Sequence, residues 1–352
     1  MARNGSRSLT LRAVAKRAGV SLGAASNVFT GKAGVSAEAR SAVETAAVEL
    51  GYQPRPHAPA RAGTTLLLLS QRIQIPVSGN PFYGPVLHGV QQACVASGVE
   101  LVYAMLGPHV VSADRLPDLV QRRRVQGLLL LSYVCPETLA VVRAAGLPVV
   151  LIDHFIDAVD VDSVMGDDEQ GGYLATRALL DRGHHRPVPA MITGPPHVSL
   201  QRRLAGYRRA LAECNLASDE RYIIAIATTD PSSGFAAMRR LLELAEPPTA
   251  VFCCNDSTAL GVLNCLHQRG VAVPERCSVV SYDDIDLAAH AVPPLTTIAV
   301  DKEQLGASAV RYLLERIDHP AMTARYTRLA VRLVERKSLA PVTASHDLVP
   351  GT

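Results

Sequence analysis

The sequence predicts an α/β protein with an N-terminal helix-turn-helix head of three helices and two doubly wound parallel α/β subdomains behind it. Three observations carry that prediction. Three short, capped helical patterns fill Thr10 to Gly51, a proline-rich stretch follows from Tyr52 to Thr65, and beyond it short apolar runs alternate with amphipathic patterns. The corresponding division is residues 1–51 for the head, 52–65 for a hinge or linker, 66–340 for the two-part body and 341–352 for a tail.

In the head, Thr10 caps a helix over Leu11 to Ala18, and Gly19 supplies its left-handed stop. Ser21 caps a second helix, Leu22 to Phe29, after a very short turn. Ser36 caps a third over Ala37 to Leu50, with Glu38 in its first turn and Val43, Ala46, Ala47 and Leu50 as its apolar stripe. Charge follows the same division. Residues 1–61 hold nine Lys/Arg against three acids, a net of +6, which leaves −3 for the rest of a chain whose total is +3. Short helices joined by a glycine-containing turn on a basic surface point to DNA, with the second helix in the major groove. An ordinary three-helix cap with a solvated charged surface is the alternative.

In the linker, Pro54, Pro56, Pro59 and Gly63 mark a boundary. In the body, strands are expected at Leu66–Leu69, Leu101–Met105, Leu128–Leu131, Val149–Ile152, Ala190–Thr193, Ile223–Ala227, Val251–Cys254 and Val279–Tyr282. Helices are expected at Tyr83–Ser97, Glu137–Ala145, Gln170–Arg182, Ser199–Cys214, Ser232–Leu244, Ser257–Arg269 and Lys302–Ile317. Continuous apolar strands between amphipathic helices mean parallel sheets covered on both faces. Pro187 and Pro189 are expected to shorten the Ala190 strand or push it to a sheet edge.

Ligands of such sheets bind beyond the C-terminal strand ends. Asp153, Asn255-Asp256 and Asp283-Asp284 each follow an apolar strand, Arg203 lies in the first turns of a helix, and Phe82 can wall a pocket against a ring. Carboxylates, an amide and a guanidinium satisfy vicinal hydroxyls or a heteroaromatic edge. The competing role is helix capping, above all for Asp256 ahead of Ser257–Arg269. Asp283-Asp284-Ile285-Asp286 as a metal site lacks a further spaced ligand, and His184-His185 reads as a solvated loop. No cofactor is implied. No phosphate-binding or nucleophile-elbow motif occurs, so catalysis is not expected. The seven cysteines include no CxxC pair and read as small apolar residues rather than metal ligands.

The head resembles the N-terminal domain of the lactose-repressor/galactose-repressor (LacI/GalR) family of bacterial transcription regulators. The matching elements are Thr10-Leu11, Val14-Ala15, Ala18-Gly19-Val20-Ser21, Ser26, Val35-Ser36, Arg40, Leu50-Gly51-Tyr52 and Pro54. The body resembles that family's effector domain and, through it, the periplasmic sugar-binding proteins. Its matching strings include Asn80-Pro81-Phe82-Tyr83, Arg182-Gly183-His184, Cys254-Asn255-Asp256, Ser278 to Asp284 and Pro294 to Ile298. Together they cover almost the whole chain.

The resemblance implies a ligand-responsive DNA-binding regulator, a repressor by family habit, sensing a sugar-like metabolite in the inter-subdomain cleft. Arg203, Asn255 and Asp283 fall on effector-binding positions, and Asp153 is added to them. The base-reading positions fall on Leu22, Gly23 and Asn27, with Ser21 at a phosphate and Thr10 and Ser26 also counted to the DNA-binding surface. Where the family usually reads Thr-Val-Ser-Arg, this chain reads Ala24-Ala25-Ser26-Asn27. Asn27 favours adenine where Arg would favour guanine. In the hinge, Arg55 replaces the usual Asn, Arg61 stands where a Leu wedges the minor groove, and Pro59 falls inside the family's hinge helix. Sparse base readout and a weakened hinge are therefore expected.

The implied partners are double-stranded operator DNA, a small-molecule effector and a second copy of the chain, since a palindromic site needs two heads. The tail carries no heptad pattern that would build tetramers. The cytoplasm is expected, because Arg3 and Arg7 precede no apolar stretch and no apolar run is long enough to span a bilayer. The alternative is a periplasmic-type sugar-binding module without a role in transcription.

Overall fold

The computed structural model describes residues 11–29, 35–50, 52, 63–70, 80–106, 110, 112–132, 134–157 and 159–342. The head contains α1 (Leu11–Ala18), α2 (Leu22–Phe29) and α3 (Ala37–Leu50). Gly19 adopts φ +69°, where a side chain would strain, so α1 can stop and α2 start within three residues. Ser21 Oγ accepts from Ala24 N at 3.1 Å, and Ser36 Oγ accepts from Ala39 N at 3.3 Å, capping α2 and α3. Val14, Ala15, Ala25, Val28, Val43, Ala46 and Ala47 form the buried centre. The small residues allow three short helices to close on one another. The expected cap Thr10 and the linker residues Pro54, Arg55, Pro56, Pro59 and Arg61 lie outside the described residues.

The body elements, in chain order, are β1 (Thr65–Ser70), α4 (Tyr83–Ser97), β2 (Glu100–Met105), α5 (Asp118–Gln121), β3 (Gly127–Leu131), α6 (Pro136–Ala144), β4 (Val149–Ile152) and β5 (Asp162–Gly166). They continue with α7 (Asp168–Leu180), β6 (Ala190–Thr193), α8 (Val198–Glu213), β7 (Ile223–Ala225), α9 (Pro231–Leu242), β8 (Ala250–Cys253), α10 (Asp256–Gln268), β9 (Ser278–Asp283) and α11 (Asp286–His290). The last are β10 (Thr296–Ala299), α12 (Lys302–Asp318), β11 (Tyr326–Leu329) and β12 (Arg332–Val334). They build two six-stranded sheets, ordered β11-β5-β4-β3-β1-β2 in one lobe and β12-β10-β9-β8-β6-β7 in the other. The pairs β1–β3, β3–β4, β4–β5, β5–β11, β9–β10, β8–β9, β6–β8 and β6–β7 run parallel, and β12 runs antiparallel to β10. Leu66–Leu69 and Leu128–Leu131 are wholly buried, as strands covered on both faces must be.

The chain passes between the lobes three times, from β5 to α7, from β10 to α12, and from β11 to β12. The second return is anchored by Asp162, a buried carboxylate gripped by both Nε and Nη2 of Arg316 (2.9 and 3.1 Å) and by the backbone N–H of Arg325 at 2.8 Å.

Three helix pairs cross so closely that each partner presents a glycine. A Cβ on Gly172 of α7 would fall 2.1 Å from the Arg203 carbonyl oxygen of α8, and one on Gly206 of α8 would fall 2.0 Å from the Glu169 oxygen of α7. Gly234 and Gly261 play the same part for α9 and α10, and Gly89 and Gly306 for α4 and α12.

Two sequence expectations change. β6 pairs with β7 on one side and β8 on the other, so it is not an edge strand. Pro187 and Pro189 both precede Ala190, and no ladder donor is lost from 190–193. His184 is buried rather than solvated, with Nδ1 2.9 Å from Thr249 Oγ1 and Nε2 3.0 Å from the Ala340 carbonyl. It fastens the segment that follows β12 onto the second lobe.

Candidate functional site

The C-terminal strand ends of both lobes open onto one cavity of about 400 Å³. In the first lobe, Asn80 Oδ1 accepts from the backbone N–H of Phe82 and Tyr83, both at 2.9 Å, which starts α4 and turns both rings to the cavity. Their planes meet edge to face, with centroids 5.0 Å apart. Tyr83 donates its hydroxyl to Asp153 Oδ2 at 2.7 Å and lies 2.9 Å from Ser132 Oγ. Ser132 follows β3 and Asp153 follows β4. Of the six non-glycine residues at positive φ among the described residues, four are Ser132 (66°), Asp153 (55°), Asp283 (108°) and Asp284 (50°). Backbone strain of this kind gathers where side chains must be aimed.

In the second lobe, Arg203 emerges from the first turns of α8 and is 4% exposed. Its Nε donates to Asp168 Oδ1 at 2.9 Å, its Nη1 to the Cys254 carbonyl at 2.6 Å, and its Nη1 lies 3.5 Å from Asp283 Oδ1. The Tyr282 ring covers its face at 3.5 Å. Burial opposes the guanidinium's charge, but Asp168 and Asp283 hold it protonated. Burial raises Asp283 to about 8, against the lowering pull of Arg203 and Lys302 and with Asp256 and Asp153 adding to the rise. Lys302 donates to the carbonyls of Asp283 and Asp284, fixing the strained end of β9.

The structure thus brings Phe82, Asp153, Arg203, Asn255 and Asp283 around one cavity. Asp256 is not the cap expected of it. Asn255, in extended backbone at the end of β8, caps α10 by accepting from Thr258 N at 2.9 Å. The Asp256 carboxylate points away, accepting from Ile285 N at 2.8 Å and Thr297 Oγ1 at 2.7 Å, and burial raises it to about 6. Asp284 pairs with Arg336 at 2.7 Å, and among the described residues no cluster of three or more metal-binding side chains occurs. Sequence reasoning missed Asp168, His197 and Asp230. The last could have been found, because Asp-Pro-Ser-Ser is a helix-start signal placed just past a strand.

On the head, Ser21, Leu22 and Gly23 are exposed at the start of α2, and Asn27 is half-buried one turn on. Ser26 lies within α2. Thr10, Arg55 and Arg61 lie outside the described residues.

A helix-turn-helix head on a two-lobed α/β body, with a cavity where the lobes meet, defines a DNA-binding regulator with a ligand-sensing domain. Residues 10–55 match the model of bacterial regulatory proteins of the lacI family, and residues 176–339 match the periplasmic binding protein-like domain. The chain is 34% identical to the ribose operon repressor of Haemophilus influenzae, over 94% of this chain and 98% of the relative. Among solved structures it is similar to a complex of the transcriptional regulator CelR with cellobiose (TM-score 0.72, 34% identity, 94% of this chain and 100% of the other). It is also similar to the lac repressor dimer bound to operator and the anti-inducer ONPF (TM-score 0.69, 27% identity, 95% and 100%). The chain belongs to the lacI family of bacterial regulatory proteins, and is a transcription regulator and not an enzyme.

Proposed function

We propose that this regulator represses transcription as a homodimer on a palindromic operator, and that its DNA affinity is set by a small sugar-like metabolite held in the cleft. One observation carries the sensing half of this reading. Strand-end polar groups of both lobes, Asp153 from one and Arg203, Asn255 and Asp283 from the other, face a single cavity with Phe82 as an aromatic wall. A molecule touching both lobes favours the closed arrangement, and it shifts DNA affinity only by the difference in its binding to the two states. A cavity of about 400 Å³ suits one or two sugar rings. The similarity to a ribose operon repressor and to a cellobiose-bound regulator supports a sugar.

On the DNA side, Ser21 serves a phosphate, Leu22 a thymine methyl and Asn27 an adenine edge, with Thr10, Gly23, Ser26, Arg55 and Arg61 completing the contact surface. The domain division of the reading is 1–51 for DNA, 52–65 for the hinge, 66–340 for sensing and 341–352 for a tail. Among the described residues no helix is long and apolar enough to cross a membrane. A regulator that works on operator DNA is expected in the cytoplasm.

The test is a titration of labelled promoter DNA from the gene's own neighbourhood, with and without D-ribose or cellobiose. Binding that weakens steeply with salt and shifts with one sugar is expected. Failure to retard any promoter fragment at low salt would refute the reading.

A further inference from the structure

Among the described residues that line the cavity, one side chain is permanently cationic and three are acidic, namely Arg203 against Asp153, Asp230 and Asp283. A fourth carboxylate stands behind the cation. Asp168, at the N-terminus of α7, has a side chain 1% exposed and sits on Arg203 Nε at 2.9 Å. We propose that Asp168 sets the charge of the effector: it takes up the guanidinium charge of Arg203 from behind, so that the cleft accepts an uncharged polyol and rejects its phosphorylated counterpart. This rests on the sensing role proposed above.

The geometry separates the two things an arginine can offer. Its charge is matched by Asp168 at 2.9 Å, and the Asp283 carboxyl adds an acceptor 3.5 Å from Nη1. Its Nη2 has no hydrogen-bond partner among the described residues and keeps directional donors for a hydroxyl oxygen. A hydroxyl needs only those donors. A phosphate brings up to two negative charges and needs an uncommitted cation as well.

Helix N-termini are the other source of positive potential, and those of α8, α9 and α10 reach this cavity. Each is already capped by a side chain of its own, through His197 to Ser199 N, Asp230 to Ser233 N and Asn255 to Thr258 N. Asp230 adds negative charge to the cavity wall. Burial works against its ionisation, but hydrogen bonds with Ser232, Thr228 and Ser233 draw it down to about 2.

The isosteric change Asp168→Asn removes the charge while keeping an oxygen for Arg203 Nε. Calorimetric titration of the full chain and of this variant would use D-ribose, D-ribose 5-phosphate, D-glucose and D-glucose 6-phosphate. For the sugar that binds, the native chain should favour the neutral form over the phosphate by at least about 100-fold. Asp168→Asn should narrow that ratio about tenfold or more by strengthening phosphate binding. Lost packing alone would weaken both forms together and leave the ratio unchanged. An unchanged ratio, or equal binding of the two forms by the native chain, overturns the role of Asp168. A phosphate bound where its neutral sugar is not overturns this proposal and leaves sugar sensing standing. Silence from all four probes overturns both.

Discussion

Replacing Gly172 by Ala tests how tightly the cleft is tied to helix packing. The new Cβ would lie 2.1 Å from the Arg203 carbonyl oxygen and 2.8 Å from that residue's carbonyl carbon and Cα, all backbone atoms with no rotamer to yield. Reaching an ordinary contact of 3.4 Å requires α7 and α8 to part by about 1.3 Å. Overpacking of this kind costs roughly 1–3 kcal/mol, and alanine's better helix propensity returns up to about 1 kcal/mol. A net loss of about 1–2 kcal/mol is expected. At roughly 2–4 °C per kcal/mol for a body of this size, the melting temperature should fall by about 2–8 °C. The larger consequence lies in the cleft. Asp168 starts α7 and Arg203 rides on α8, so a 2.9 Å hydrogen bond between them does not survive that separation. With the guanidinium no longer held, effector affinity should drop about tenfold or more, since hydrogen bonds to charged groups contribute roughly 1.5–3 kcal/mol. Thermal melts with and without effector, paired with calorimetric titration, read both effects. Gly23→Ala is the control for stability, because its Cβ meets nothing nearer than Ser21 Oγ at 3.9 Å, and it should not destabilise the head. A Gly172→Ala protein that melts and binds like the native one would show that the crossing is slack and the reasoning wrong.

The other expectations follow from single groups. Asp162→Ala strips the buried carboxylate that pairs with Arg316 and Arg325 and should cost about 3–5 kcal/mol in a urea melt, since Arg316 is left with backbone carbonyls and no carboxylate partner while Arg325 keeps only Glu315. Asp283 is protonated more readily in the folded chain, near 8, than in the unfolded chain, near 4. The folded state therefore binds more protons across that window, and effector-free stability should fall as pH rises through it. Asp283→Asn should flatten the profile, and an unchanged slope would rule this group out as the cause. Asp256→Ala leaves the Ile285 N–H and the Thr297 hydroxyl without their acceptor and should cost about 1–3 kcal/mol, seen as a lower melting temperature. Asn27→Ala should lose about 1–3 kcal/mol at one A·T pair of the operator and relax preference there, read by competition with single-substitution operators.

Much of this was legible in the chain because the signals were local. Ser21, Gly19 and Ser36 announce helix boundaries through caps and turns that involve neighbours three or four residues away, and the structure gives α1, α2 and α3 the bounds read from them. Strands such as Leu128–Leu131 declare burial on both faces by being apolar throughout. β5 and β10 gave no such signal. Asp162, Ser163, Thr296 and Thr297 are buried in them, and their polar groups are satisfied by residues from elsewhere in the chain, among them Arg316 and Ser338. The same limit explains the exchange of roles between Asn255 and Asp256. Either side chain can cap α10, and the choice turned on Thr297 and Ile285, partners more than 25 residues away that recruit Asp256. Arg203 was visible as a strand-end cation, whereas Asp168 was not, because only the close crossing of α7 and α8 makes them neighbours.

The three passages between the lobes have a consequence for the thermodynamics of sensing. Neither lobe is a continuous stretch of chain, so no single cut liberates one, and no fragment bounded by two cuts consists of one lobe alone. The lobes therefore meet as tethered partners at a fixed, high effective concentration, whatever the protein's abundance. Closing around a ligand loses no translational freedom of one lobe relative to the other. Nearly all of the ligand's differential binding energy is then available to bias the angle between the lobes, and the position of that equilibrium depends on effector concentration rather than on how many copies of the regulator a cell holds.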